Sequence, residues 1–584
     1  MARLELFGQT VAPGIGTGVI AFADVGGNSD LPPRHIPKEQ VKAAIALFDS
    51  ARHRAIQSLE RVQAATAREL GLQDAAIYGA QVAILHDPSA LSEIRELIED
   101  KLLAPESAIQ SVVEKFSLLF ENLEGGDMKN WAGDLRDPWY AVQRELALGQ
   151  QEDLKSGDAG PIILVAEELV PSLATRLPRE KLAGIICKRG GRFSHGAVVA
   201  RSFGIPTVTG VDQLSQQCIP GESAVIYANN ARLLLGADQA ELGAASKKAQ
   251  ESTALRDILT ERAAKGAVMA CGTKISVMVN VESPRDLKMF DPNIVDGVGL
   301  FRTEFAYMER PTFPSSAEQA KIYMELLSHF PGKPVVFRTL DIGNDKQLRY
   351  FSMPDERNPA LGWRGLRLVL KWKDLLLAQI QGLLEARPHG DLRIMLPMLT
   401  VAEEVREVRK LLDQVLPEGM EPPPLGAMLE VPAAAMALSD IVEEVDFISV
   451  GTNDLVQYLF AVDRDNPWVA DLYQPFHPAH LRLLLHIART CNKANVPLSV
   501  CGEMAGQLEG ALFMVGAGFD HMSVSPPFVP ELKAVLAVLG KEELTELAHQ
   551  AAACKDSASA FALLSEVAGQ AWSTVVKQFV RPSS

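Results

Sequence analysis

Eight short apolar runs, each followed by a stretch of helical character, fill the C-terminal half of this chain. They are Ile275–Val281, Gly297–Phe301, Val335–Phe337, Leu392–Met398, Leu425–Leu429, Phe447–Val450, Leu498–Val500 and His521–Val524. This alternation limits the fold more than any other feature, because neighbouring parallel strands need a long crossover and a helix supplies one. Eight such repeats within about 300 residues suit a closed (β/α)8 barrel of TIM type better than an open sheet. Residues 266–584 are expected to form that barrel.

The preceding residues read differently. Leu4 to Ala23 is rich in strand formers and glycine and predicts β structure. Beyond Pro32, Val41, Ile45, Phe48, Ala55, Leu59 and Val62 recur near the helical period, and Pro37 stands where a helix can begin. Further helical stretches at Asp74–Leu85, Leu91–Leu103 and Ser107–Leu123 predict a helical bundle over residues 24–147. Apolar runs at Pro161–Ala166, Leu182–Cys187 and Ser223–Tyr227, separated by turns with Gly and Pro, predict a compact α/β domain over 148–235. The Ala-, Lys- and Glu-rich segment 236–265 reads as a linker helix. The expected fold class is multidomain α/β.

Charge and cysteine usage narrow the function. A net charge of −16 over 584 residues argues against a nucleic-acid partner, which usually meets a basic surface. No apolar run has the length needed to span a bilayer, and MARLELFGQTVAPG lacks a charged-then-apolar export signal. Six scattered cysteines make neither a disulfide framework nor a zinc ribbon. The expectation is a reduced, cytoplasmic protein without membrane insertion.

In a barrel of this kind the C-terminal ends of the strands build the active site. Arg302 follows the second run, Arg338 the third, Glu430 the fifth, Asn453 and Asp454 the sixth, and Cys501 the seventh, with Arg464 in the loop region after the sixth. Two carboxylates from adjacent strands, Glu430 and Asp454, suit one hard divalent cation such as Mg2+. Several arginines on the same rim neutralise a multiply charged anion, so the set describes a site for a small phosphorylated carboxylic acid. Any one of these arginines alone is equally well explained by a surface ion pair or a helix cap. Cys501 alone reads either as a small buried hydrophobe or as a proton donor or acceptor beside the anion.

A second constellation runs from Gly190 to Arg201, GGRFSHGAVVAR. Its glycines permit close backbone approach, and Ser194 can cap a helix beginning near His195. A helix N-terminus favours an anion and a neutral, nucleophilic imidazole. An ordinary turn with a histidine at a helix start explains the same composition.

At these residues the sequence resembles Enzyme I of the bacterial phosphotransferase system, the phosphoenolpyruvate (PEP)–protein phosphotransferase family. GGRFSHGAVVARSFGIP at Gly190–Pro206 is similar to the phosphohistidine signature, and DFISVGTNDLVQYLFAVDR at Asp446–Arg464 to the second signature. GLFRTEF at Gly299–Phe305, FRTLDIGNDK at Phe337–Lys346, NPALGWRG at Asn358–Gly365 and CGEMAG at Cys501–Gly506 support it. The resemblance implies that His195 takes the phosphoryl group of PEP and passes it to a histidine of the carrier protein HPr, with release of pyruvate. It implies Mg2+ on Glu430 and Asp454, substrate binding by Arg302, Arg338, Asn453 and Arg464, and protonation of the enolate by Cys501. It also implies that residues 1–23 and 148–235 form one swivelling phosphohistidine domain around an inserted HPr-binding bundle, 24–147. The barrel would bind PEP and join two chains in a homodimer, and 236–265 would act as hinge or spacer.

Several positions depart from that pattern. Phe193 and Gly196 flank His195 in place of a small polar and a bulkier residue, and Leu173 and Ala174 replace an acidic residue and a Thr. Losing one orienting hydrogen bond to the imidazole costs about 1 kcal/mol. In the bundle, Gln81 replaces a common His, and Pro138-Trp139 enters a normally continuous helix, so an altered HPr-facing surface is expected. Asn344 replaces a usual Gly. Two other readings remain. A PEP synthase or pyruvate phosphate dikinase shares the mobile histidine and barrel but needs a nucleotide-binding module, for which the N-terminal residues are too few and too helical. A regulatory relative would bind PEP or a partner with little turnover.

Overall fold

The computed structural model describes residues 3–22, 34–69, 72–121, 138–143, 145–146, 160–169, 181–189, 200, 204–211, 214–308, 312–343, 348, 350–351, 353–354, 356–464, 466, 468–469 and 472–580. The chain divides into two compact units, 1–252 and 253–584.

The first unit contains an eight-stranded mixed sheet. Its strands are β1 (Leu4–Phe7), β2 (Gln9–Ala12), β3 (Ile15–Phe22), β4 (Ile162–Glu168), β5 (Leu182–Arg189), β6 (Thr207–Thr209), β7 (Ser223–Tyr227) and β8 (Arg232–Leu235). They lie in the order β1-β8-β7-β3-β4-β5-β6-β2. β3 pairs with β4 in parallel, Val19 against Ile162. A parallel pair cannot be closed by a tight turn, and the residues connecting these two strands include a helical bundle. Alternate side chains of the strands, Ile20, Ile163, Val165, Ile186 and Ile226 among them, fill one core beneath the sheet.

The bundle contains α1 (Val41–Glu69), α2 (Leu72–Leu85), α3 (Pro88–Glu99) and α4 (Pro105–Glu121). Helix α3 begins because Asp87 accepts a hydrogen bond from Ala90 N at 2.8 Å while Pro88 occupies the first turn. Its stripe Ala90, Ile94 and Ile98 packs against Phe48, Ala51 and Ala55 of α1 in one core. Two sequence departures prove to be interior. Trp139 is only 1% exposed within a helical stretch that includes residues 138–143, and Gln81 is 2% exposed on α2. Both side chains therefore belong to the bundle interior: Pro138 stands where this described helical stretch begins, and Trp139 supplies core volume.

The second unit is a closed parallel barrel. Its strands are β10 (Lys274–Val281), β11 (Val298–Arg302), β12 (Pro334–Arg338), β13 (Asp391–Leu396), β14 (Leu425–Leu429), β15 (Phe447–Val450), β16 (Leu498–Val500) and β17 (His521–Val524), preceded by the short β9 (Ala267–Val268). β10 pairs with both β11 and β17, which closes the ring. All eight apolar runs form barrel strands. One difference is instructive: β13 ends at Leu396, not Met398, because Pro397 has no N–H for the ladder and Met398 has φ +55°. Leu300, Val336, Met395, Met428 and Phe447 pack with Cys501 as a distinct apolar cluster.

Candidate active site

The strand ends gather a dense charge network. Arg338 closes β12 and is buried; it pairs with Glu304 and reaches Asp341 Oδ2 at 3.1 Å. Asp341, also buried, meets Arg364 through two contacts of 3.0 and 3.3 Å. Arg364 in turn lies 3.7 Å from Asp454 Oδ2. Glu430, one residue beyond β14, is buried and accepts a hydrogen bond from Met398 N at 2.6 Å. The left-handed backbone of Met398 is strained for a residue with a side chain, and here it presents an N–H to the carboxylate.

Electrostatics single out Glu430. Burial raises its pKa, the nearby Asp454 and Asp341 raise it further, and Arg338 and Arg364 offset only part, leaving it pushed up to about 8. The network thus holds more carboxylate than guanidinium around Glu430. That excess, with two oxygen-donor side chains from consecutive strand ends, fits a divalent cation. Among the described residues no three His, Cys, Asp or Glu side chains cluster as a metal cage.

The remaining expected residues surround this centre. Arg302 ends β11, is partly exposed and meets Glu282 at 2.7 Å. Asn453 and Asp454 open the helix Thr452–Phe460, and Asn453 Oδ1 accepts from Glu503 N at 2.9 Å. Gly502 permits this approach, since a Cβ there would sit 1.8 Å from Thr452 Oγ1. Arg464 is exposed; its side chain hydrogen-bonds Tyr473, whose hydroxyl donates to Asn453 O at 3.3 Å. Cys501 is buried, and burial, with a smaller contribution from Glu430, raises its thiol to about 11. It is a protonated thiol near pH 7, able to donate but not to act as a thiolate.

Seven of the eight site residues expected from the sequence thus lie at or near the strand ends on one side of the barrel. His195 lies outside the described residues, as do Phe193, Gly196, Leu173, Ala174 and Asn344. Sequence reasoning missed Glu304, Asp341 and Arg364. All three lie in the segments Gly299–Phe305, Phe337–Lys346 and Asn358–Gly365; for Glu304 and Asp341 the available signal was a carboxylate two or three positions past a strand-end arginine, and for Arg364 it was membership of the third segment alone.

Comparison with known proteins gives the family. The PEP-binding domain of PEP-utilising enzymes matches residues 257–540, their N-terminal domain 7–130 and their mobile domain 159–230. A phosphoenolpyruvate-protein phosphotransferase of Bacillus sp. (strain S) is 34% identical over 517 residues, 87% of this chain and 89% of that protein. The chain belongs to the phosphoenolpyruvate-protein phosphotransferase family. The enzyme of the same name from Staphylococcus aureus (strain MRSA252) is 34% identical over 522 residues, 88% of this chain and 91% of its own. A solution structure of Enzyme I (nEIt) aligns with 42% of this chain and 99% of its own, at 24% identity and a TM-score of 0.32. As a member of the phosphoenolpyruvate-protein phosphotransferase family the chain is a transferase, catalysing the first step of the phosphotransferase system. No described helix is long and apolar enough to cross a membrane.

Proposed function

We propose that PEP binds at this barrel mouth, that His195 receives its phosphoryl group, and that a histidine of HPr or an HPr-like carrier is the next acceptor. The observation that supports this most is the buried network of Arg338, Asp341, Arg364 and Glu430 at the strand ends, with Asp454 beside it. Phosphoryl transfer needs alignment and charge neutralisation more than covalent help from the protein. Arg302, Arg338 and Arg464 would neutralise the phosphate and carboxylate, and Asn453 would orient them. Glu430 and Asp454 would hold Mg2+, which when bound supplies Lewis-acid charge for the substrate oxygens. Cys501, kept protonated by burial, would deliver its proton to the enolate methylene and leave pyruvate.

The proposed domain assignment has residues 1–23 and 148–235 carry His195, 24–147 bind the carrier, 236–265 link, and 266–584 bind PEP and dimerise in the cytoplasm. One histidine cannot receive the phosphoryl group at the mouth and present it to a carrier at once, so the histidine domain would swing between two positions. The test incubates the full chain with Mg2+ and labelled PEP, with His195→Ala as control. Acid-labile, alkali-stable label on the wild type and none on the variant is expected. An unlabelled wild type that still binds PEP would establish the regulatory reading instead.

A further inference from the structure

Helix Lys373–Ala386 packs behind the barrel wall, and its Gln379 is fully buried. Both N–H groups of this amide and its carbonyl oxygen are engaged, in three hydrogen bonds. Its Oε1 accepts from Leu340 N at 2.9 Å; its Nε2 donates to Thr303 Oγ1 at 3.0 Å and to Tyr323 OH at 3.3 Å. Thr303 Oγ1 then donates to Arg338 O at 2.8 Å. Tyr323 OH and Tyr307 OH both donate to Gln319 Oε1, at 2.8 and 2.9 Å, so the tyrosine that meets Gln379 is itself held by a side chain of helix Ser316–His329.

The consequence lies in what these partners adjoin. Thr303 follows Arg302 directly, and Leu340 lies two residues past Arg338. A single side chain therefore stitches together the segments leaving β11 and β12, just where each has presented its arginine. These segments have no regular ladder between them: beyond the pair Arg302–Arg338 the two strands have ended. Without the amide, Leu340 would lose its tie to the β11 side, leaving the Thr303 to Arg338 hydrogen bond and the Arg338–Glu304 ion pair, both of which end on Arg338 itself.

We propose that Gln379 is a positioning residue that sets the spacing of Arg302 and Arg338 for a doubly anionic phosphate group. This rests on the reading that PEP binds there. Gln379 touches no substrate atom in this scheme; it acts through Thr303 and Leu340. A forked guanidinium pair discriminates geometry sharply, and small misplacement of a binding group is costly to the reaction. A buried glutamine serving stability alone would, when removed, lower the unfolding midpoint and leave PEP recognition in the folded molecules unchanged.

The experiment compares full-length wild type, Gln379→Leu and Gln379→Glu in PEP-dependent labelling, with urea unfolding in parallel. Gln379→Leu removes every bond; Gln379→Glu keeps the acceptor for Leu340 N. The expected result is a KM for PEP raised roughly tenfold or more in Gln379→Leu, a smaller loss in kcat, and partial recovery in Gln379→Glu. Should Gln379→Leu fail to fold, Thr303→Val decides, since it removes only the hydroxyl between Gln379 and the Arg338 carbonyl; it must raise KM with a smaller loss in kcat. An unchanged KM in folded variants, with only stability reduced, overturns the positioning role. A wild type that PEP does not label is seen before any variant is read, and it overturns the functional reading and this inference with it.

Discussion

Replacing Arg338 by Met tests the charge network at its most committed point. The guanidinium serves Glu304 and Asp341, but the two carboxylates do not depend on it equally. Asp341 keeps Arg364 at 3.0 and 3.3 Å, whereas Arg338 is the cationic partner of Glu304 among the described residues. The variant therefore strands one buried charge, not two. Breaking a buried pair from one side costs about 3–5 kcal/mol, mainly through the uncompensated charge left behind. Urea unfolding of Arg338→Met should show a loss of that size. Adding Glu304→Gln removes the stranded charge, and the double variant should regain about 2 kcal/mol or more. PEP labelling should stay strongly reduced in both, since the proposed anion site has lost one of its three guanidinium groups. The reasoning is refuted if the single variant is as stable as wild type, or if the second substitution restores nothing.

Other perturbations separate binding, proton delivery and stability. Cys501→Ala should leave PEP affinity near wild type while slowing pyruvate formation by about 10²–10⁴-fold, measured by coupled pyruvate detection; an equal fall in affinity would point to packing instead. Gly502→Ala places a Cβ 1.8 Å from Thr452 Oγ1 and 2.6 Å from Thr452 N, and so displaces the start of the helix bearing Asn453 and Asp454. Mg2+-dependent PEP binding, followed by calorimetry, should fall at least about tenfold, and unchanged binding would contradict the geometry. His480 is fully buried, and desolvation lowers its imidazole to about 4 against a smaller opposing effect from its hydrogen bond to Pro475 O at 2.7 Å. Its neutral form is favoured in the native state, so about 3 kcal/mol of stability is present above pH ~6.5 and lost as pH falls toward 4. In His480→Gln, urea unfolding between those pH values should lose roughly one proton's worth of pH dependence, and an unchanged slope would exclude this origin.

The barrel was legible because its strands are buried runs bounded by breakers and its helices repeat at the expected spacing. Pro397 was the visible reason for shortening β13, although the apolar composition of the run concealed it. The strand-end arginines and carboxylates were legible for the same topological reason: closing the sheet brings all eight ends to one rim. Glu304, Asp341 and Arg364 were harder, since their roles come from pairing across the rim and not from position in a run. Gln379 was invisible. A glutamine in a helix with Lys373, Asp374 and Glu385 reads as a solvent-facing residue, and only packing reveals that it turns inward. Gln81 and Trp139 are alike in this, since only packing shows that these sequence differences lie in the core.

The net charge of −16 gave no hint of an anion site, and the structure explains why. Arg338 and Arg364 are not free positive charge awaiting substrate; each is already committed to buried carboxylate. The buried network thus meets an incoming anion with an excess of carboxylate at Glu430 and Asp454, and the partly exposed Arg302 and exposed Arg464 are the guanidinium groups outside it. On the proposed reading, a phosphorylated carboxylic acid arriving alone would meet that carboxylate edge, and a divalent cation arriving alone would have Glu430 and Asp454 as its proposed ligands. Each lacks what the other brings. On the proposed reading the site is therefore built to take substrate and cation as a pair, and the buried arginines fix where the pair sits more than how strongly its charge is drawn in.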